Sequence, residues 1–206
     1  MLKYIRPAIV MILLMTGLTG ILYPFAVTGI AQAVFPHQAN GSLIERDSQV
    51  IGSELIGQTF ASDRYFNGRP SATLGPDPAD PSKTAPAPYN ASNSMGSNAG
   101  PTAKTLVERV QGGVASYRQG YGVTGEVPAD AVTTSGSGLD PHISPANARL
   151  QVRRVASARG LAEERVRQLV AEMTENATLG FLGEPRVNIL KLNLALDRER
   201  SAVATR

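Results

Sequence analysis

Residues 7–36 read PAIVMILLMTGLTGILYPFAVTGIAQAVFP, a stretch with no aspartate, glutamate, lysine, arginine or histidine. A helix needs only about 20 apolar residues to cross the hydrocarbon core of a membrane. Lys3 and Arg6 precede the stretch, and positive charges beside a span stay on the cytoplasmic side. The sequence therefore predicts a cytoplasmic N-terminus over residues 1–6, a transmembrane helix over 7–36 and an extracytoplasmic domain over 37–206.

A cleaved signal peptide is the alternative interpretation of the same stretch. Lys3 and Arg6 would form its charged region, and Ala31-Gln32-Ala33 resembles an A-x-A cleavage site. The apolar region of a signal peptide is only about 7–15 residues long, and this stretch is far longer. A retained anchor is favoured, and either interpretation sends the rest of the chain across the membrane.

Two features inside the predicted span indicate a contact with another helix. Gly17 and Gly20 lie one turn apart, and small residues at this spacing let a second helix approach closely. Such glycines are also common in membrane helices that make no such contact. After Tyr23, Pro24 removes a helical hydrogen bond and predicts a kink, and a neighbouring helix could bond the freed carbonyl group.

The composition excludes several classes of function. The chain has no cysteine, so disulfides, thiolate metal sites and cysteine nucleophiles are excluded. It has only two histidines, which nearly excludes a histidine-built metal centre. The net charge is +3, and Lys3 and Arg6 carry two of these charges. The predicted domain is therefore close to neutral and has no electrostatic signal for nucleic acid.

The remaining pattern predicts a mixed α+β domain behind a single N-terminal transmembrane helix. Ser144 and Pro145 are typical of a helix start, and Gly160 of a helix end. The leucines of residues 190–196 alternate with other residues, as in a half-buried strand. Helices are predicted from about residue 102, over 144–159 and over 162–174, and strands over 131–134 and 190–196. Residues 50–60 are predicted to form a strand pair or a single strand with a bulge.

Residues 72–101 are rich in proline, glycine and serine and contain almost no bulky aliphatic side chains. A loop of this length within a domain is either functional or disordered. Its piece from Tyr89 to Asn98 is dense in amide and hydroxyl groups. These groups could cap turns, or they could line a contact with a partner.

The loop Thr133–Pro145 reads TTSGSGLDPHISP and is the sharpest candidate for chemistry. A hydrolase using Ser137, His142 and Asp140 is one hypothesis, but neither Ser135 nor Ser137 has the flanking glycines of a G-x-S-x-G elbow. Phosphate binding at a helix N-terminus is a second hypothesis, although no G-x-x-x-x-G-K-[ST] motif occurs. The third is a turn in which Asp140 and His142 fix the loop.

The chain closely resembles the C chain of the bacterial Kdp potassium-transporting ATPase, from its single N-terminal span almost to its end. The resemblance rests on short motifs in the family's order, and the glycine-serine loop is the most specific of them. The matching pieces are Tyr23-Pro24, Gly52-Ser53, Leu55–Gln58, Tyr65-Phe66, Gly68–Ser71, Tyr89-Asn90, Gly96–Asn98, Thr133–Pro145, Gly180–Asn188 and Leu192-Asn193.

The resemblance implies an accessory subunit of a high-affinity potassium importer in the bacterial inner membrane. Its partners would be a channel-like potassium-binding A chain, a P-type ATPase B chain and a small single-span peptide. The family is described as a catalytic chaperone that raises the affinity of the ATPase chain for ATP. The phosphorylation motif Asp-Lys-Thr-Gly is absent here, so this chain is not expected to hydrolyse ATP itself.

The family's glycine-serine loop has been likened to the signature motif of ABC transporters. This sequence keeps the loop, and Gln151 lies beyond it on the following predicted helix. The resemblance therefore implies ATP or partner contact by Ser135, Gly136, Ser137, Gly138, Asp140 and His142. The predicted orientation puts this loop outside the cell, whereas ATP is inside, so an indirect effect on ATP affinity is preferred. The residues expected to contact partners are Gly17, Gly20, Tyr23, Pro24, Arg69, Tyr89, Asn90, Ser97 and Asn98.

Overall fold

The computed structural model describes residues 2–204, with side chains from residue 3 to residue 199. The chain forms two compact units, Met1–Ser53 and Glu54–Arg206. The first unit contains one long apolar helix and a hairpin. The second unit is a mixed α and β domain with its own core. This agrees with the fold class predicted from the sequence.

The apolar stretch forms one continuous helical span of 30 residues, Ile5–Val34, long and apolar enough to cross a membrane. A short 3-10 turn, Leu2–Tyr4, precedes helix α1, Ile5–Met15. Helix α2, Tyr23–Val34, completes the span. None of the residues of α1 and α2 is buried, as expected for side chains that face lipid or a partner helix.

A π-helical segment, Thr16–Leu22, joins α1 to α2 and ends two residues before Pro24, where the sequence predicted a kink. The N–H of Tyr23 donates to the carbonyl of Leu18, five residues earlier. Proline has no N–H to give to the carbonyl four residues back, so the turn before it is free to widen. The segment includes Gly17 and Gly20.

A hairpin follows the span. Helix α3, Pro36–Ala39, leads into strand β1, Leu43–Arg46, which pairs antiparallel with β2, Gln49–Ser53. The sequence predicted a strand pair or a bulged strand over 50–60. The strand there is β2, whose partner β1 precedes it, and Ile51 is the extra residue of a bulge in β2, because Ile44 and Glu45 of β1 pair with Gly52 and Val50. The turn residues Asp47 and Ser48 both have positive φ angles, of 52° and 62°, as a tight hairpin turn requires.

The core of the second unit lies between three helices and a small sheet. The helices are α6, Pro145–Arg159; α7, Glu163–Glu172; and α8, Ile189–Ala204. The sheet has the order β5-β7-β6, with β5 at His142–Ile143, β6 at Thr174–Glu175 and β7 at Arg186–Asn188, all antiparallel. The buried residues of the core include Phe66, Ile143, Val152, Val155, Val166, Leu169, Val187, Leu192 and Leu196.

The helix signals around the predicted loop are confirmed. Ser144 caps α6, since its hydroxyl accepts from the N–H of Asn147 at 3.0 Å. Gly160 ends the helix in the left-handed conformation, with φ 69°. The helix predicted from about residue 102 is α4, Lys104–Tyr121, and the one predicted over 162–174 is α7.

Two of the predicted strands do not form. Residues 190–196 belong to α8, because Leu192, Asn193 and Leu196 share one buried helical face and the run contains no β-branched residue. The side chain of Asn188 accepts from the N–H of Lys191 at 3.1 Å and caps the first turn. Residues 131–134 do not form a strand either, because helix α5, Ala129–Val132, begins directly after Pro128.

The proline-rich segment 72–101 has defined structure. Strands β3, Leu74–Pro76, and β4, Thr84–Pro86, form a small antiparallel hairpin. The side chain of Asp80 accepts from the N–H of Ser82 at 3.2 Å and stabilises the connecting turn. The segment that follows packs against the glycine-serine loop.

Candidate functional site

The glycine-serine loop is held by its backbone carbonyl groups. Ser94 Oγ donates to the carbonyl of Ser137 at 3.0 Å, and Ser71 Oγ donates to the carbonyl of Gly138 at 2.7 Å. The N–H of Gly57 donates to the carbonyl of Leu139 at 2.7 Å. Three separate segments of the chain therefore fix consecutive residues of this loop.

Residues 87–98, called the strap here, lie directly against the loop. A Cβ atom on Gly96 would come within 2.8 Å of the carbonyl oxygen of Gly136. Gly138 has φ 68°, and a Cβ atom there would lie 2.6 Å from the carbonyl oxygen of Met95 and from Thr73 Cγ2. Contacts this close leave no room for a side chain, so these glycines are required for the strap to reach the loop.

Thr73 holds the other end of the strap. Its buried hydroxyl donates to the carbonyl of Ala87 at 2.6 Å and accepts from the N–H of Asn90 at 3.1 Å. Asn90 Nδ2 in turn donates to the carbonyl of Leu74 at 2.8 Å. The strap is thus bonded at both ends to elements of the same unit.

Asp140 is the centre of a charged group at the end of the loop. Its Oδ2 lies 3.0 Å from Nη1 of Arg69, and Arg69 Nη2 donates to the carbonyl of Thr134 at 3.4 Å. Its Oδ1 accepts from the N–H of His142 at 3.0 Å and lies 3.3 Å from Nδ1 of the same residue. Both carboxylate oxygens therefore have partners that favour the charged form.

Partial burial works against that charge, because it disfavours an ionised carboxylate. The hydrogen bonds from the side chain and backbone of His142 and the charge of Arg69 outweigh burial, and the pKa of Asp140 is held below its ordinary value of 3.8. A carboxyl group with a lowered pKa stabilises the fold above its ordinary pKa, and this stabilisation is lost as the pH falls through the lowered value.

Asp140→Asn is therefore expected to destabilise the domain by about 1–3 kcal/mol at pH 7, the usual loss for a charged hydrogen-bonded group. The difference from the wild type should shrink as the pH falls below about 4, because the wild-type carboxylate then gains its proton. Urea unfolding of the full chain in detergent at a series of pH values would measure this. Asp63→Asn is the matched control.

Asp63 also pairs with an arginine, Arg154, at 3.3 Å, but its side chain is 81% exposed. Exposed ion pairs contribute little to stability, so Asp63→Asn should change unfolding only slightly. A loss at Asp140 that is equal to the loss at Asp63, or that grows towards low pH, would contradict the role assigned to Asp140.

Two buried amide side chains hold the segment that carries Arg69. Asn193 accepts from the N–H of Phe66 at 2.9 Å and donates to its carbonyl at 3.0 Å. Gln151 does the same for Asn67, at 2.8 and 3.1 Å. Each amide side chain thus bonds to both backbone groups of one residue, as a neighbouring β-strand would. These bonds fix the segment so that Arg69 lies opposite Asp140.

Asp130 fixes the start of α6. Its Oδ2 accepts from the N–H of Ser144 at 2.8 Å and from Nδ2 of Asn147 at 3.0 Å, and its Oδ1 accepts from Ser144 Oγ at 2.9 Å. Asn147 Oδ1 accepts from the hydroxyl of Tyr117 at 2.8 Å. A carboxylate at a helix N-terminus is favoured by the helix dipole, so the site around α6 is occupied by the chain's own acidic group.

An open cleft of about 630 Å³ runs beside these groups. Arg69, Asp140 and His142 line it together with Asp130 and Arg186. Among the described residues, the lining does not include residues 135–138. The structure therefore separates the six predicted loop residues into a pair in the cleft, Asp140 and His142, and a glycine-serine part that faces the strap.

The hydrolase alternative is not supported. Ser137 Oγ accepts from the N–H of Leu139 at 3.1 Å and lies 3.4 Å from Ser135 Oγ. The ring of His142 faces Asp140, and the hydrogen bonds found within residues 2–204 do not join it to Ser137. A serine nucleophile needs a base within hydrogen-bond reach, and this one has none there.

The loop also does not fit a direct triphosphate site. Residues 133–145 contain no lysine or arginine, and the nearby Arg69 is neutralised by Asp140. The carbonyls of the loop are bonded to neighbouring segments, and Gln151 is buried and bonded to Asn67. Within residues 2–204, no group of three or more acidic or histidine side chains is placed to hold a metal ion.

The residues predicted to contact partners have different environments. Burial raises the pKa of Tyr89 to about 12, so its hydroxyl remains a donor, and it donates to the carbonyl of Arg69 at 2.7 Å. Tyr89 and Asn90 thus hold the strap internally. Ser97 and Asn98 are exposed at its end, and Gly20 and Tyr23 are exposed in the span. Their contact with a partner stays a prediction.

Two residues of this site carry no signal that the sequence analysis used. Thr73 and Asp130 bond to residues 14 and 17 positions away, respectively. Such partners cannot be inferred from local spacing. The cap formed by Asn188 could have been inferred, because an asparagine directly before a run of good helix formers is typical of a helix start.

Comparison with known proteins shows the family of this chain. The family model described as the c chain of K+-transporting ATPase matches residues 5–198. The KdpC subunit of the potassium-transporting ATPase of Rhodopseudomonas palustris (strain BisB18) is 61% identical over 197 residues, which cover 96% of this chain and 98% of its own. The corresponding subunits of Bradyrhizobium diazoefficiens and Methylobacterium nodulans are 60% and 58% identical with the same coverage. The chain belongs to the family of K+-transporting ATPase c chains.

Proposed function

We propose that this chain is an accessory, non-hydrolytic subunit of a high-affinity, ATP-driven potassium import complex in the bacterial inner membrane. The observation that carries the proposal is the family match over residues 5–198, which includes the apolar span as well as the domain. The absence of a base beside Ser137 among the described hydrogen bonds supports a role without hydrolysis.

The proposed partners are a channel-like potassium-binding A chain, a P-type ATPase B chain and a small single-span peptide. In the membrane, the candidate contact residues lie around the π-helical segment. Small residues favour close helix packing, and π-helical turns are frequent at functional sites. The domain residues proposed to face partners, directly or by supporting the surface, are Arg69, Tyr89, Asn90, Ser97 and Asn98.

The proposed orientation follows from Lys3 and Arg6, which favour a cytoplasmic N-terminus and a periplasmic domain. ATP then binds on the opposite side of the membrane from residues 135–142. We propose that the domain raises ATP affinity indirectly, by contacting one conformation of the transporter better than another. Differential contact of this kind changes the affinity of a distant site without touching its ligand.

The test is to measure ATP hydrolysis by the complex purified with and without this chain. Without the chain, the KM for ATP should rise, by about 5-fold or more for a coupling of ordinary size. Adding the purified full-length chain should restore the wild-type KM, and the chain alone should hydrolyse neither ATP nor an ester substrate.

A KM that does not depend on the chain would overturn the proposed coupling. Hydrolysis by the chain alone would overturn its non-catalytic status.

The orientation is tested separately, in intact cells that express the complex with Gln119→Cys, an exposed position in a chain that lacks cysteine. Labelling of intact cells by a membrane-impermeant thiol reagent is expected, and labelling only after lysis would contradict the periplasmic orientation.

A further inference from the structure

The strap is attached to the domain in two different ways along its length. Residues 87–90 are held by partly buried hydrogen bonds, which include two bonds to Thr73 and the bond from the hydroxyl of Tyr89 to the carbonyl of Arg69. The N–H of Tyr89 also donates to Ser71 Oγ at 3.1 Å. Breaking such a bond leaves a polar group without a partner away from water, which is costly, so this part of the strap is firmly held.

The ring of Tyr89 holds the same part of the strap by packing. A Cβ atom on Gly57 or on Gly68 would collide with this phenol, so the ring lies between the backbones of two other segments. Tyr89 has φ 60°, a left-handed conformation that is unfavourable for a residue with a side chain. Such a conformation persists only where the surrounding contacts outweigh its cost, and here they do.

Residues 91–98 are attached by weaker contacts. Among the described residues, four hydrogen bonds join side chains of this part to segments outside the strap, and all four are exposed to water. They link Asn93 to the carbonyl of Leu74, Ser94 to the carbonyl of Ser137, and Ser97 to both Arg109 and Thr134, at 3.0–3.3 Å. When an exposed bond breaks, water replaces the lost partner, so these bonds contribute little free energy.

Residues 91–98 also bury little apolar surface. Met95 is the one large apolar side chain among them, and it is only half-buried. Gly96 lies closest to the loop and has no side chain to bury. Segments with few apolar contacts and exposed hydrogen bonds open locally at a free energy far below that of the whole domain. Residues 91–98 meet this description, and residues 87–90 do not.

The far end of this part can change its backbone conformation. Asn98 has φ 47°, and asparagine enters and leaves the left-handed region more readily than most residues. Gly100 follows, and a Cβ atom there would meet no other atom within 4 Å. Hinges are formed by a few loop positions that absorb changes in φ and ψ, and these two positions are suited to that role.

We propose that residues 91–98 form a lid that opens and closes over the glycine-serine loop while residues 87–90 stay fixed. The structure shows the closed form, in which Gly138 is buried and the carbonyl of Ser137 is bonded to the lid. Opening exposes both groups to water, whereas Ser71, outside the strap, keeps its bond to the carbonyl of Gly138. The lid goes beyond the proposed function, because its motion belongs to this chain alone.

The first test is a reversible lock, Ser97→Cys combined with Thr134→Cys. The γ oxygens of these residues lie 3.3 Å apart and the chain has no other cysteine, so a disulfide between the two positions would hold the lid closed. A protease cleaves a folded segment only after the segment opens. We expect subtilisin to cleave the native full-length chain in detergent within residues 91–98, as identified by mass spectrometry of the reduced fragments.

The oxidised lock should slow this cleavage by about 30-fold or more, the effect of a disulfide of ordinary strength. The same variant kept reduced is the matched control and should be cleaved at close to the wild-type rate. Equal cleavage rates in the oxidised and reduced forms would overturn the proposal, and so would a wild-type chain that is not cleaved within residues 91–98.

A second variant separates opening of the lid from unfolding of the domain. Val166 is fully buried in the core, so Val166→Ala should lower the stability of the domain, measured by urea unfolding, without altering the contacts of the lid. Cleavage within residues 91–98 should then stay within about twofold of the wild-type rate, because local opening does not require the core to unfold. A cleavage rate that rises in step with the lost stability would overturn the proposal.

Discussion

Gly138→Ala is expected to destabilise the domain by about 2–5 kcal/mol, which combines the cost of a left-handed alanine with the cost of overpacking. Gly138 has φ 68°, and the new Cβ atom would lie 2.6 Å from the carbonyl oxygen of Met95 and from Thr73 Cγ2. Neither neighbour can move freely, because Met95 belongs to the strap and the buried Thr73 holds the strap's other end. The strap would therefore have to leave the glycine-serine loop.

Gly136→Ala is a close control for this substitution. Gly136 lies two residues away in the same loop, and a Cβ atom there would meet no other atom within 4 Å. Its replacement should change stability by less than about 1 kcal/mol and could raise it slightly, because alanine restricts the unfolded chain. Urea unfolding followed by circular dichroism, with limited proteolysis within residues 87–98, would measure both variants. Similar losses in the two variants would show that the close contact at Gly138 is not decisive.

Phe66→Ala is expected to cost about 3–5 kcal/mol, the usual range for a buried phenylalanine. Phe66 is fully buried among the core residues of the second unit, and both of its backbone polar groups are bonded to Asn193. The loss is a large part of the 5–15 kcal/mol that typically stabilises a folded protein. It should also loosen the segment that positions Arg69 opposite Asp140.

Phe181→Ala is the same substitution at an exposed position and should change the unfolding of the isolated chain by less than about 0.5 kcal/mol. The chain has no tryptophan, so tyrosine fluorescence and circular dichroism would report the transition. If both variants unfolded at the same urea concentration, the core assigned around Phe66 would be wrong.

The helix ends around the candidate site could be predicted because their signals are local. Ser144, Pro145 and Gly160 act through hydrogen bonds and φ angles within one turn of the chain. The alternating leucines of residues 190–196 misled the same reasoning. Their pattern suits a strand, but the buried face that decides the matter contains Asn193, whose role depends on Phe66, 127 residues away.

The candidate site itself could be predicted only in part. Asp140 and His142 are neighbours in sequence, so their pairing could be expected from the loop. Arg69 completes the group from 71 positions away, and the position of Gln151 inside the domain depends on its bonds to Asn67. The composition of residues 72–101 contains too few bulky aliphatic side chains to form a core. The segment is instead held in place by hydrogen bonds from serine, threonine and asparagine side chains to backbone carbonyls.

The sequence by itself determined the apolar span, the helix caps and the family, because each depends on composition or on short motifs. The tertiary structure decided that the glycine-serine loop is covered by the strap, that residues 190–196 are helical and that Leu179, Phe181 and Leu182 are exposed together. These outcomes depend on hydrogen bonds and packing between residues far apart in the chain. Their free energy exists only when the whole domain is folded, so no local pattern contains it.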